Sequence, residues 1–248
     1  MSDNPGRVDI HYVLDKLYYS HDNPRDKGTG FERFIKSFLV TEPLYAGRFE
    51  QVWMWSDWPE RGSRPDHGID LVARERDTGD LVAVQCKFFD PSAALPKGEI
   101  DSFLAESGKH PFRSRLLVTT AGRLNSAAEA AIEDQQIPVN VIGLEDLVGS
   151  TLDWAQFDPS TPEVLATLGR KRLRPHQRTA IDAVRAGLVE HDRGQLIMAC
   201  GTGKTFTSLR LAEEVVPPGG RVLFLVPSIA LLNQSLKEWS TEATDPLR

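Results

Sequence analysis

The chain has 248 residues, 40% of them hydrophobic and 26% charged, with a formal net charge of −6. That length and balance fit one large globular domain or two smaller ones and exclude a disordered chain. The acidic total is globally no nucleic-acid signature, although a groove can be locally basic on an acidic protein. No apolar run approaches the roughly 18–20 residues that a membrane span needs. The polar start Met1-Ser2-Asp3-Asn4-Pro5 lacks the apolar core of a secretion signal, so a cytoplasmic protein without a membrane partner is expected. The two cysteines, Cys86 and Cys200, lack zinc-ligand spacing and read as reduced thiols.

Along the chain, Ile10, Val13, Leu14, Leu17 and Tyr18 recur at helical spacing. So do Phe31, Phe34, Ile35, Phe38 and Leu39, behind an expected cap at Thr29. Strands are expected at 51–55, 69–74 and 81–88, the last two joined by the hairpin chemistry of Asp77-Thr78-Gly79-Asp80. A helix near 99–106, a strand at 115–119, a helix near 126–135 and a strand at 139–142 follow. Asp158-Pro159-Ser160-Thr161-Pro162 is rich in turn formers and reads as a boundary. Three parts are therefore expected: a domain over 1–150, a linker over 151–172 and a second domain over 173–248. In the last part a helix near 175–189, a strand at 195–198, a helix at 204–215, a strand at 221–226 and a helix near 230–239 alternate, which implies a parallel sheet. Before it lies a basic cluster: Arg170, Lys171, Arg172, Arg174, His176 and Arg178.

Ala199-Cys200-Gly201-Thr202-Gly203-Lys204-Thr205 is the strongest local signal. Its glycines let consecutive backbone N–H groups face a phosphate, and the following helix adds its positive end. Lys204 would reach the outer phosphates of ATP, and Thr205 would ligate Mg²⁺. The general pattern wants glycine at position 198, where this chain has Met198.

A second constellation lies in the first part. Asp70 opens one strand, while Gln85 and Lys87 stand two apart on the next and share a face. Glu32 falls at the edge of an apolar helical stripe, where a half-buried carboxylate needs a partner. Asp70, the Gln85 side chain and the Cys86 backbone carbonyl offer oxygens suited to Mg²⁺. Lys87 can orient water and stabilise developing negative charge, and Glu32 can hold a metal-associated water or a second ion. Asp66, in Pro65-Asp66, is the competing acid, and Asp70 is preferred because it begins an apolar strand. Cys86 as a small core residue outweighs Cys86 as a nucleophile. Trp53, Trp55 and Trp58 read as core and rim packing.

Three segments of the second part resemble superfamily 2 helicases and translocases: the phosphate loop, Leu173-Arg174-Pro175-His176-Gln177 and Leu225-Val226-Pro227-Ser228. The resemblance accounts for Met198, makes Arg174 and Gln177 part of an adenine-reading segment with Gln177 on the base, and puts the third segment against the DNA backbone. The acidic ATPase motif and a second lobe do not occur in these residues, so ATP turnover by this chain alone is not expected. The Asp70/Gln85/Lys87 trio resembles the PD-(D/E)XK nucleases in their Mrr-like branch, where Gln-x-Lys is common. Gly28-Thr29-Gly30-Phe31-Glu32-Arg33-Phe34, Val52-Trp53-Met54-Trp55, Trp58-Pro59, Gly68-Ile69-Asp70, Gln85-Cys86-Lys87-Phe88 and Ile100-Asp101-Ser102-Phe103 extend the likeness to type ISP restriction–modification enzymes, over nearly the whole chain.

That resemblance implies an α/β architecture: a restriction-endonuclease-like domain with a mixed sheet flanked by helices, then a truncated P-loop RecA-like lobe. It implies a bacterial enzyme that hydrolyses double-stranded DNA with Mg²⁺, coupled in a longer protein to an ATP-driven translocase. It leaves room for transient pairing of two nuclease domains on DNA. Two other readings stay open: a DNA-binding module with an inert nuclease site, and a nucleotide-binding fragment.

Overall fold

A computed structural model describes residues 8–20, 22–64, 68–133, 135–167, 169–199, 201–217 and 219–245. Cys200, Met1–Pro5 and the Pro65-Asp66 pair lie outside them. The chain divides into two compact units, Met1–Leu168 and Gly169–Arg248.

In the first unit, helices α1 (Ile10–Tyr19), α2 (Pro24–Thr41) and α3 (Pro43–Arg48) precede strands β1 (Phe49–Met54), β2 (Leu71–Glu75) and β3 (Leu81–Lys87). Then come β4 (Ala94–Leu95), α4 (Asp101–Ser107), β5 (Phe112–Thr119), β6 (Arg123–Leu124), α5 (Ser126–Ile132), β7 (Val139–Ile142) and α6 (Leu144–Val148). The main sheet runs β1-β2-β3-β5-β7. β1, β2 and β3 are antiparallel neighbours, and β3, β5 and β7 run parallel. The β2–β3 hairpin turns at Gly79, whose positive φ suits the Asp-Thr-Gly-Asp turn.

Helix α2 begins well before Thr29. Asn23 caps it, its side chain accepting from the Asp26 N–H, and Pro24 takes a first-turn position where its missing N–H is harmless. Phe31, Phe34, Ile35, Phe38 and Leu39 are buried on one side of α2 against Leu71, Ala73, Val82, Val84, Leu116 and Val118. Burying each such side chain contributes roughly 1.5–3 kcal/mol before entropy is counted. The opposite sheet face packs Val72, Leu81 and Ala83 with Trp55, Trp58 and Phe103. The sheet is thus covered on both faces, which its parallel half requires.

The first part of the expected 151–172 linker packs on the first unit. Leu152, Trp154 and Phe157 are buried in the same core as α1 and α2, with Trp154 and Phe157 ring-packed on Phe34. Buried Glu42 accepts from the Ser150 and Thr151 hydroxyls at 2.7 and 3.1 Å. Apolar residues set in a turn-rich frame give no helical or strand period, so composition alone reads as a linker.

The second unit contains α7 (Pro175–Glu190), α8 (Lys204–Val215) and α9 (Ile229–Glu242). Leu209, Trp239 and Ala243 form a small core, and the Trp239 indole donates to the Thr205 carbonyl at 3.0 Å. The strands expected at 195–198 and 221–226 do not form: these segments carry no regular structure and join no sheet among the described residues. Ile197, Leu223 and Leu225 are at least 80% exposed. A strand exists only against a neighbour, and these two segments do not pair with each other.

No helix among the described residues is long and apolar enough to cross a membrane.

Candidate active site

The β2–β3 hairpin sets the frame. Leu71 pairs with Val84, which puts Asp70 at the end of β2 beside Gln85. The Asp70 N–H donates to the Val84 carbonyl, and the Trp55 N–H donates to that of Asp70. Asp70 Oδ2 accepts the Cys86 N–H at 2.6 Å. The approach to Asp70 is fixed by Gly68, which has φ of +78° and lies so close to α4 that a Cβ would meet the Phe103 nitrogen at 2.9 Å.

A cleft of about 1300 Å³ opens at this end of the sheet. Asp70, Cys86, Lys87 and, from α2, Glu32 all line it. Gln85 stands just behind this lining. Its side chain is buried, and its Oε1 has no hydrogen-bond partner among the described residues. A buried acceptor without a partner is costly, and a cation beside it would remove that cost. Burial and the carboxylates of Asp70 and Glu32 push the Cys86 thiol well up, against the lowering effect of Lys87. The thiol therefore stays protonated and packs as a core atom rather than as a nucleophile.

Lys87 has a partner that sequence spacing does not reveal. Its Nζ meets Glu99 Oε2 at 3.0 Å, and Glu99 also lines the cleft. Glu99 closes the short turn before α4, and no local pattern marks it as facing Lys87.

Among the described residues, no three acidic, histidine or cysteine side chains stand together as a self-sufficient metal cage. Asp70, Gln85 and Cys86 offer instead a carboxylate, an amide oxygen and a backbone carbonyl. That hard-oxygen set fits Mg²⁺, which keeps several waters.

In the second unit, Gly201 and Gly203 have φ of +76° and +83°, and α8 starts directly after Gly203. Gln177 is buried and holds the loop, donating to the Thr202 carbonyl at 2.9 Å. A Cβ on Gly203 would strike Gln177 Nε2 at 2.5 Å. The Gln177 side-chain oxygen Oε1 caps α7 by accepting the Arg174 N–H. Lys204 Nζ donates to the Met198 carbonyl at 3.1 Å. Gln177 and the loop are thus brought together, while the Arg174 side chain is exposed. Thr205 is half-buried at the start of α8. Within the basic cluster, Lys171 is spent on Glu238, and Arg178 on Asp182 and Glu214.

The first unit is a mixed sheet flanked by helices, the architecture of a restriction-endonuclease-like domain, with Asp70 set beside Gln85 at the β2–β3 hairpin. Residues 40–164 match the family described as restriction endonuclease, and the chain belongs to that family. Residues 170–246 match the res subunit of type III restriction enzymes, a helicase-like region. The chain is similar to the solved ATP-dependent Type ISP restriction-modification enzyme LlaBIII bound to DNA, with 40% identity and a TM-score of 0.80 over 93% of this chain. It spans 15% of that protein's length. A weaker likeness, 22% identity and a TM-score of 0.40 over 55% of this chain and 29% of the other, is to MspJI restriction endonuclease in complex with a 27-mer oligonucleotide.

Proposed function

We propose that this chain carries the DNA-cutting site of an ATP-driven bacterial restriction enzyme that works in the cytoplasm. The observation behind this reading is the convergence of Asp70, Glu32, Lys87 and Cys86 on one cleft, with buried Gln85, its side-chain oxygen unpartnered among the described residues, set across the hairpin from Asp70. Asp70, the Gln85 amide oxygen and the Cys86 carbonyl would hold Mg²⁺, with Glu32 at its outer side. When bound, Mg²⁺ neutralises phosphate charge and makes water a better nucleophile. Lys87, tethered by Glu99, orients water toward the scissile phosphorus and balances charge on the phosphoryl oxygens. Glu32 accepts a hydrogen bond from that water. Double-stranded DNA is the substrate, and two such domains meeting on DNA would cut both strands.

The nuclease domain of this reading extends beyond residue 150 to include Trp154 and Phe157. The region from about 173 is part of an ATPase lobe. There Gly201, Thr202, Gly203 and Lys204 would cradle ATP phosphates, Thr205 would bind their Mg²⁺, and Arg174 and Gln177 would lie at the adenine. Translocation belongs to the longer protein.

Plasmid nicking with Mg²⁺ tests the cutting site. Asp70→Ala and Lys87→Ala should each lower nicking by about 10²–10³-fold, the scale of removing one electrostatic stabiliser of the transition state. If the parent chain needs the complete enzyme, the same substitutions there, with ATP, must abolish cutting. Cutting that survives both substitutions sinks the assignment.

A further inference from the structure

Beyond Pro24 at its start, α2 lines the cleft with Arg25, Lys27, Gly28, Thr29, Glu32 and Arg33. Arg25, Gly28 with Thr29, and Glu32 with Arg33 follow at three- and four-residue steps. They form one stripe that leads from the first turn of α2 to Glu32. The cleft's other acids, Asp15, Asp57, Asp70, Asp90 and Glu99, come from other elements.

The cations of this stripe are unspent. Arg25 and Arg33 are both exposed, and neither has an ion-pair partner among the described residues. Lys27 is held differently, its Nζ 3.5 Å from the centre of the Tyr18 ring. A cation resting on an aromatic face is oriented but keeps its charge.

Gly28 gives the stripe a second character. Glycine inside a helix is destabilising relative to alanine, so its presence there calls for a cause. Backbone conformation supplies none, since Gly28 is not among the glycines of positive φ. Packing supplies none either. An added Cβ would come no nearer than 3.9 Å to Glu32 Oε1, an ordinary contact. The folded chain has room for a methyl group, and the room is the cleft itself. The helix leaves its backbone bare toward the cleft, between cations, at some loss of its own stability.

The ligand that matches is anionic, extended and able to lie close to a backbone. From Arg25 to Arg33 the helix rises about 12 Å, enough for about three phosphates of one strand measured along the DNA axis. We propose that the cleft face of α2 receives the sugar–phosphate backbone of one DNA strand, with Arg25, Lys27 and Arg33 against its phosphates and Gly28 at the closest approach. The strand runs along this rail to Glu32 and Asp70. The proposal rests on the nuclease reading for the identity of the ligand.

The test uses a labelled duplex of mixed sequence, followed by fluorescence anisotropy against salt, with no Mg²⁺ present. Replacing Arg25, Lys27 and Arg33 together by alanine should lower the slope of log affinity against log salt by about 2–3, close to one for each phosphate that is no longer neutralised. Gly28→Ala should weaken binding several-fold while the melting temperature stays the same or rises. An unchanged slope in the triple variant overturns the rail, as does the absence of duplex binding by the parent chain. Unchanged affinity in Gly28→Ala, or a lower melting temperature, overturns the role given to Gly28. Asp70→Ala separates the two readings. If it binds DNA and does not cut while the triple variant binds like the parent, the rail fails and the nuclease stands. If Asp70→Ala cuts as well as the parent while the triple variant loses binding, the hydrolytic reading fails and the rail stands.

Discussion

Gln85 sits where an apolar side chain would pack at lower cost. It is 3% exposed on β3, between Val84 and Cys86, and its amide oxygen has no partner among the described residues. Gln85→Glu would place a carboxylate in the same spot, and a buried unpaired charge costs several kcal/mol. The variant should melt lower than the parent in EDTA and should recover more than the parent when Mg²⁺ is added. Equal Mg²⁺ responses of the two proteins would remove Gln85 from the metal site. In the proposed site Cys86 next door would contribute through its backbone, so Cys86→Ala keeps the carbonyl and should nick plasmid DNA at close to the parental rate. A large drop would give the thiol a role that its protonated state does not predict. Asp70, Gln85 and Lys87 are legible in the sequence because strand alternation and a Gly-containing turn are local rules. Glu99 is not: its approach to Lys87 depends on how the loop after β3 returns to the sheet.

At the level of elements, the apolar periods of the first unit place its helices and main-sheet strands well, and their ends less well. Asn23-Pro24 is a start signal of the same kind as the Thr29 cap expected from the sequence, and the protein uses the earlier one. The two glycines that follow, Gly28 and Gly30, make a helix through that stretch look unfavourable. Asn23→Ala should cost about 1 kcal/mol, read as a lower denaturant midpoint with unchanged slope. The larger departure is 151–167, where turn-rich composition conceals buried side chains. Trp154 and Phe157 pack on Phe34 from a stretch of coil and short 3₁₀ turn, which no helical or strand period announces. A chain ending at Ser150 would leave the Phe34 side of the core open, and removal of a large core aromatic costs about 3–5 kcal/mol. It should be aggregated or molten, whereas a chain ending at Thr167 should melt cooperatively. Equal stability of the two would mean that the segment merely rests on the domain.

Across the whole molecule, the two units differ in how their backbones are satisfied. In the first, β2, β3 and β5 carry neighbours on both edges and lie between buried layers. In the second, helices α7, α8 and α9 form, yet segments 195–199 and 221–226 join no ladder among the described residues. The apolar runs there are strand-like in composition, but pairing is a property of the sheet, not of the run. Amide exchange reports that difference directly, because protection follows the opening free energy of each hydrogen-bonded segment. Amides of β3 and β5 should exchange only with global unfolding of the first unit. Those of 195–199 and 221–226 should exchange within the shortest labelling time, with those in α8 between the two. Protection of 221–226 comparable to that of β3 would require a sheet partner for it, and with it a more complete nucleotide lobe. The same experiment with ATP and Mg²⁺ carries a second arm. If Gly201–Thr205 grips phosphate as proposed, the first turn of α8 should gain protection, and Lys204→Ala should erase that gain without changing exchange in β3.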